Sequence, residues 1–279
     1  MNTNSQGTED FADHGNEYSY LDPDKLDSAI AAYTEAIRLD PNDAKSYFNR
    51  GIAYERKGLS GFGKKIDLNN AVADFTEVIR RVPDSVSAYF CRGRVYGQMG
   101  NHKMAIESYN EAIRLDPNDA KKYLRRGKAY WGQHGSLGKA VADFTDGIRL
   151  APDNAEGYSG RGKTYLKMGE FDKAVADFTE AMRIDPDSSM WYLHSRGEAY
   201  CEKGDFDSAF ADYNEIIRLA PNNGLGYFSL ASVYSDRSRV HKSNGDLNSY
   251  IADCNEMERL LRKGEEIENR NRGKADGAV

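Results

Sequence analysis

The chain has 279 residues, and 38 Lys and Arg against 44 Asp and Glu leave a formal charge of −6, which excludes wholesale binding to nucleic acid, whose phosphates require a basic face. Three cysteines far apart (Cys91, Cys201, Cys254), without CxxC spacing, predict neither a disulfide framework nor a metal site, and no cofactor is expected. No run approaches 18 apolar residues and no basic start precedes an apolar stretch, so neither a membrane span nor a secretory leader is expected, and the chain reads as cytoplasmic.

Residues 1–23 are polar and are expected to form a partly disordered segment. From residue 24 to residue 262 the chain is periodic. Pro41, Pro83, Pro117, Pro152, Pro186 and Pro221 recur at intervals of about 34 residues, the mark of stacked supersecondary units. The first interval is longer because eight extra residues lie near 59–66, a predicted loop; a second insertion lies near 235–244, about two helical turns.

Ahead of the prolines run segments that each depart at one place from A-[VI]-A-D-[FY]-[TN]-E-x-I-R-[LIV]-x-P, as in Ala71–Pro83, Ala140–Pro152, Ala174–Pro186 and Ala209–Pro221. Its apolar places fall at i, i+4 and i+7, which is helical spacing. Two residues after each proline stands Asp43, Ser85, Asp119, Asn154, Ser188 or Asn223, each a predicted N-cap for the next helix. That helix reads Y-x-x-R-G-x-x-Y at Tyr47–Tyr54, Tyr89–Tyr96, Tyr123–Tyr130 and Tyr158–Tyr165, continued by Arg196, Gly197 and Tyr200. The glycine and the alanine opening the partner helix predict a close crossing, sealed by tyrosine rings above and below. After the last proline the final helix is expected to run on through Met257, Leu260, Leu261 and Ile267 as a charged cap, with 263–279 a helical extension that frays after Arg270.

On these residues the chain resembles the tetratricopeptide repeat (TPR) family over about residues 24–262. The resemblance implies an all-α fold, an α-solenoid right-handed superhelix of antiparallel helix pairs, with about six and a half repeats. The first unit has a good second helix, but Pro23 and the polar Asp10–Tyr20 stretch leave its first helix undefined. The motif residues are packing residues, so they specify a fold and not a partner.

In such proteins, the resemblance implies, a stripe at i, i+3, i+7 and i+10 of each first helix lines a concave peptide groove. Here the stripe reads Ser87, Phe90, Arg94, Gly97; Lys121, Leu124, Lys128, Trp131; Glu156, Ser159, Lys163, Leu166; and Trp191, His194, Glu198, Cys201, with Arg125 one step aside. Phe90, Arg94, Lys121, Leu124, Arg125, Lys128, Trp131 and Lys163 are the expected ligand-binding residues. Their cations meet no acid in the stripe until Glu156 and Glu198, so the expected partner is an acidic protein segment with an apolar anchor. Lys121 and Arg125 also fall on two basic places of chaperone-tail-binding TPR domains, but Phe48, Ile52 and Cys91 depart from the rest of that clamp.

Two other patterns read as structural. The repeated Arg50, Arg92, Arg126, Arg161 and Arg196 recur with Asp74, Asp143, Asp177 and Asp212, which predicts ion pairs with buried stems. The string Gly157–Thr164 (GYSGRGKT) fits G-x-x-x-x-G-K-[ST], but a P-loop needs a strand before it, and here Asn154 opens a helix that continues through it. The five histidines sit in separate units and form no catalytic set. The expectation is a non-enzymatic interaction scaffold or adaptor. Its rival is a self-assembly module forming homo-oligomers through the terminal repeats.

Overall fold

The computed structural model describes residues 25–59 and 65–276, and the described residues fold into thirteen α-helices and one 3-10 turn, with no strand. They fall in two compact units. The first, Met1–Leu150, holds α1 (Leu26–Leu39) and three pairs: α2 (Ala44–Leu59) with α3 (Lys65–Arg81), α4 (Val86–Gln98) with α5 (His102–Leu115), and α6 (Ala120–Gly132) with α7 (Leu137–Leu150). The second, Ala151–Val279, holds α8 (Ala155–Met168) with α9 (Phe171–Ile184), α10 (Ser189–Lys203) with α11 (Phe206–Leu219), and α12 (Gly224–Ser243) with α13 (Leu247–Asp276). No helix among the described residues is long and apolar enough to cross a membrane.

Five of the six predicted caps close as expected. Asp43, Ser85, Asp119, Asn154 and Asn223 accept from the N–H groups of Lys45, Ala88, Lys121, Glu156 and Leu225 at 2.9 to 3.3 Å. Ser188 does not cap. Asp185 instead accepts from the Ser188 N–H at 3.3 Å, which winds Pro186–Ser188 into a 3-10 turn ahead of α10. The turn from first to second helix of a pair carries a recurrent signal of its own: Gly169 and Gly204 end α8 and α10 with φ of 78° and 83°, a left-handed backbone that residues with a Cβ rarely adopt.

The packing glycines serve a different neighbour from the one expected. A Cβ built on Gly51, Gly93, Gly127, Gly162 or Gly197 would come within 2.8 to 3.2 Å of the ring of Phe75, Tyr109, Phe144, Phe178 or Tyr213. The glycine thus makes room for the aromatic place of the second helix, while the alanines Ala71, Ala105, Ala140, Ala174 and Ala209 are buried beside it. The core is accordingly a series of small clusters, one around each ring, as a stacked architecture requires.

The two tyrosines of the motif flank the arginine, and the second of them, in Tyr54, Tyr130 and Tyr165, also packs on the core of the crossing as expected. The Arg126 guanidinium lies 5.7 and 5.9 Å from the Tyr123 and Tyr130 rings, and Arg161 lies 5.8 and 6.0 Å from Tyr158 and Tyr165. Held there, each arginine forks onto the aspartate of its partner helix, in Arg50–Asp74, Arg126–Asp143, Arg161–Asp177 and Arg196–Asp212. Arg237 and Asp253 of the last pair add a fifth such pair, at 3.0 and 2.8 Å.

Lys122, on sequence a surface residue, is 2% exposed. It stands at the register of Ser46, Ala88, Gly157 and Gly226, a buried place that small residues occupy in these helices and half-buried Tyr192 in α10, which also accounts for Gly157. Its Nζ donates to the carboxylate of Asp116 and, at 3.0 Å, to the Asp116 carbonyl. The Lys122 hydrogen bond, helped by the Asn118 N–H, holds the Asp116 carboxyl below the ordinary value of 3.8. A lowered folded value gives stability that is present above 3.8 and lost as pH falls through the folded midpoint. Carboxyl NMR on Lys122→Ser, which installs the residue of Ser46, should therefore show the Asp116 midpoint moving up toward the ordinary value; an unchanged midpoint would mean that the lysine does not set it.

The ends of the array also differ from expectation. Around the predicted 59–66 loop, α2 runs to Leu59 and α3 begins at Lys65, while residues 60–64 lie outside the described residues, as do residues 1–24. The 235–244 insertion is taken up as added helix in α12. Past Arg270, where fraying was expected, α13 continues to Asp276. Leu260 and Ile267 are buried along it, Glu268 accepts from the Gly224 N–H at 3.0 Å, and Asn271 donates to the Asn222 carbonyl at 2.9 Å. Those contacts tie the last turns to the preceding helix.

Candidate functional site

In the first unit, α4 and α6 present their stripes on either side of a cleft of about 390 Å³, with α5 contributing Tyr109. Arg94, Gly97 and Gln98 come from α4 and Arg125 and Lys128 from α6. Three of the expected ligand-binding cations, Arg94, Arg125 and Lys128, are thus brought to one concavity. Tyr109 is supported from behind by Phe90, whose ring centroid lies 5.8 Å away, so Phe90 is half-buried as packing.

The charge of Arg94 is matched, contrary to expectation. Its Nε and guanidinium nitrogens each donate to a carboxylate oxygen of Glu55 at 2.6 Å, and Gln98 donates to the same carboxylate at 3.0 Å. Burial works against the Arg94 charge, but the Glu55 bonds outweigh it and hold its pKa above the ordinary value. Glu55 is the residue that the stripe reading missed, and a signal existed: carried up to α2, the same spacing gives Lys45, Phe48, Ile52 and Glu55. Glu55 then occupies the i+10 place, and Arg94 the i+7 place of the next first helix.

One step down, the same register sets Lys128 beside Gly97. A Cβ built on Gly97 meets nothing within 4 Å. The cleft exists where this side chain is missing.

Leu124 is not available to a ligand. It is 1% exposed and packs in the α6–α7 core, where Gly147 gives it room. Lys121 and Trp131 lie on α6 beyond the residues lining the cleft; Lys121 is exposed and Trp131 is 41% exposed. Lys163 is exposed on α8 in the second unit. The departures from the chaperone-tail clamp are packing residues: Phe48 meets Phe75 edge-on at 5.6 Å, and Ile52 and Cys91 share its cluster.

Other chemistry is structurally placed. The whole GYSGRGKT string lies inside α8, with Thr164 buried and donating to the Gly160 carbonyl at 2.8 Å and Gly162 against Phe178. Its backbone N–H groups are therefore spent in the helix rather than gathered for a phosphate. Burial pushes the Cys91 thiol up to about 11 and the Cys201 thiol up to about 12, so neither is a thiolate at neutral pH. Among the described residues no three His, Cys, Asp or Glu side chains gather as a metal site.

The repeated pairing agrees with family comparison. Residues 18–58 and 93–134 match a model described as TPR repeat, and residues 155–188 and 191–223 match models described as tetratricopeptide repeat, more than half of the chain in all. The chain belongs to the tetratricopeptide repeat family. No curated protein matches it significantly in sequence.

Solved TPR structures are similar in fold. A tetratricopeptide repeat protein from Parabacteroides merdae is 17% identical with a TM-score of 0.65, over 93% of this chain and 99% of its own. MamA from Desulfovibrio magneticus is 20% identical at 0.58, over 67% of this chain and 98% of that one. YrrB, described as a TPR protein with an unusual peptide-binding site, is 22% identical at 0.56, over 70% of this chain and 97% of that one. These likenesses concern the TPR fold, an all-α array of helix pairs.

Proposed function

We propose that this TPR protein is a non-enzymatic scaffold whose cleft between α4 and α6 takes an acidic segment of a partner protein. The observation that carries the proposal is the gathering of three cations, Arg94, Arg125 and Lys128, about Gly97 on one cleft. A ligand carboxylate would meet cations from both walls of the cleft, and the exposed Trp131 farther along α6 offers apolar contact. Phe90 and Leu124 shape the walls from behind rather than touching the ligand. Exposed Lys121, on the same helix as Arg125 and Lys128, contributes to the field that steers an acidic partner. YrrB's described peptide-binding site is a precedent within the fold.

A peptide-library screen tests this. Wild type should select acidic peptides bearing an apolar side chain, with affinity falling as salt is added. Arg125→Glu with Lys128→Glu should remove that binding while the melting curve stays in place. Gly97→Glu should do the same by filling the cleft with its own carboxylate. Selection of basic peptides, or acidic ligands retained by both variants, would refute the assignment.

Self-assembly is a second proposal, favoured by the exposed Val240, Leu247 and Ile251 at the turn between α12 and α13. A mass that rises with concentration, and returns to monomer in Leu247→Glu with Ile251→Glu, would mark it.

A further inference from the structure

The second helices share a register that α5 breaks. Three places before the packing alanine, α1, α3, α7, α9 and α11 carry Leu26, Leu68, Leu137, Phe171 and Phe206, and α5 carries His102. A matching change stands opposite, on α6. Six places after the ladder arginine, α2, α4, α8 and α10 have Arg56, Gln98, Lys167 and Glu202, and α6 has Gly132. A Cβ built on Gly132 would stand 2.5 to 2.9 Å from three atoms of the His102 ring, so the glycine makes room for the imidazole. The half-buried ring lines the α4–α6 cleft with Arg94, Arg125 and Lys128. Its Nδ1 is buried without a hydrogen-bond partner among the described residues, so none of them holds that nitrogen in one protonation state.

We propose that His102 is a binding residue of the cleft whose protonation raises the affinity for an acidic segment. The proposal rests on the acidic-ligand reading and adds its control by pH. An imidazole is the side chain whose ordinary charge change falls between pH 5 and 8, whereas arginine, lysine and glutamate ordinarily keep one charge across that range. The helices packed against α5 are α4 and α6. From α4 the ring faces Arg94, to which Glu55 of α2 is bonded, and from α6 it faces Arg125 and Lys128. About two turns along α5, burial pushes the Tyr109 phenol up, so it stays neutral in the same range. Linkage fixes the sign. A ligand carboxylate beside the ring favours its charged form, and by reciprocity the charged form favours the ligand. Affinity therefore climbs as pH falls from 8 toward 6. It turns down again once the ligand's own carboxylates take up protons, at about 4.3 for glutamate. The leucine or phenylalanine of the sister pairs would leave the cleft without this response.

The test uses the full chain and a labelled Glu-Glu-Trp-Glu-Glu peptide as probe, with affinity read by fluorescence polarisation at pH 8, 7 and 6 and constant ionic strength. Wild type should bind at least about fivefold more tightly at pH 6 than at pH 8. His102→Leu, which installs the residue of α3 and α7, and His102→Gln should keep the pH 8 affinity and lose the rise. His134 is exposed past the end of α6 and does not line the cleft, so His134→Gln should keep the rise. A wild-type affinity that is flat in pH, or a rise retained by both His102 variants, overturns the proposal and leaves the acidic cleft standing. Loss of binding at pH 8 in both variants also overturns it, because the ring would then act through packing and not through charge. A probe that wild type binds at no pH removes the acidic cleft and the proposal with it.

Discussion

Asp143→Ala should destabilise the first unit by about 3 to 5 kcal/mol, the largest stability effect expected of a single polar substitution here. The carboxylate accepts two bonds from Arg126, at 2.8 and 2.7 Å, and the pair is 18% and 5% exposed. Removing it leaves a guanidinium held between Tyr123 and Tyr130 with the side-chain Oδ1 of Asn110, 2.8 Å away, as a remaining partner. The array contains its own milder version of this change. At Arg92 the aspartate place is Ser108, and the guanidinium donates to the Ser108 hydroxyl at 3.2 Å and to Thr76 at 3.4 Å. Asp143→Ser should accordingly cost less than Asp143→Ala, because a hydroxyl keeps one acceptor in reach. Replacing both partners, Arg126→Met with Asp143→Leu, should recover most of the loss, since neither charge is then buried alone. Urea unfolding, with hydrogen exchange in α6 and α7 as the local measure, checks the order; a loss under about 1 kcal/mol for Asp143→Ala would mean that the pair is solvated and of little weight.

Gly127→Leu should cost about 1 to 3 kcal/mol, and Gly97→Ala should instead stabilise by about 0.5 to 1 kcal/mol. Both glycines lie inside helices, so intrinsic propensity favours replacing either. What separates them is the space each Cβ enters. At Gly127 it would stand 3.2 Å from the Phe144 ring and 3.3 Å from the Asp143 Cβ, and Phe144 is buried beneath α6 with no room to withdraw. At Gly97 it meets open cleft. Thermal melts of the two variants should move in opposite directions; parallel shifts would show that the faces of α4 and α6 are assigned wrongly.

The sequence by itself determined the helix pairs, their order and most of their boundaries. Prolines at about 34-residue intervals, cap residues two places on, and apolar places at helical spacing are all local signals, and each is read within one helix or one turn. The Arg–Asp ladder was legible for the same reason, since it repeats with the unit. Where local rules compete, as at Asp185 and Ser188, the cap moved, because both residues can satisfy the same free N–H groups. Tertiary structure alone decided which side chains of different helices meet. Periodicity assigns a residue to a face, but the rotation and stagger of neighbouring helices set its depth on that face. Leu124 belongs to the predicted stripe and is nonetheless buried, Lys122 stands one place along and is buried too, and Arg94 finds Glu55 across two first helices. The cleft at Gly97 follows from that inter-helix register: a missing side chain becomes a site only when the helices beside it leave the space unfilled.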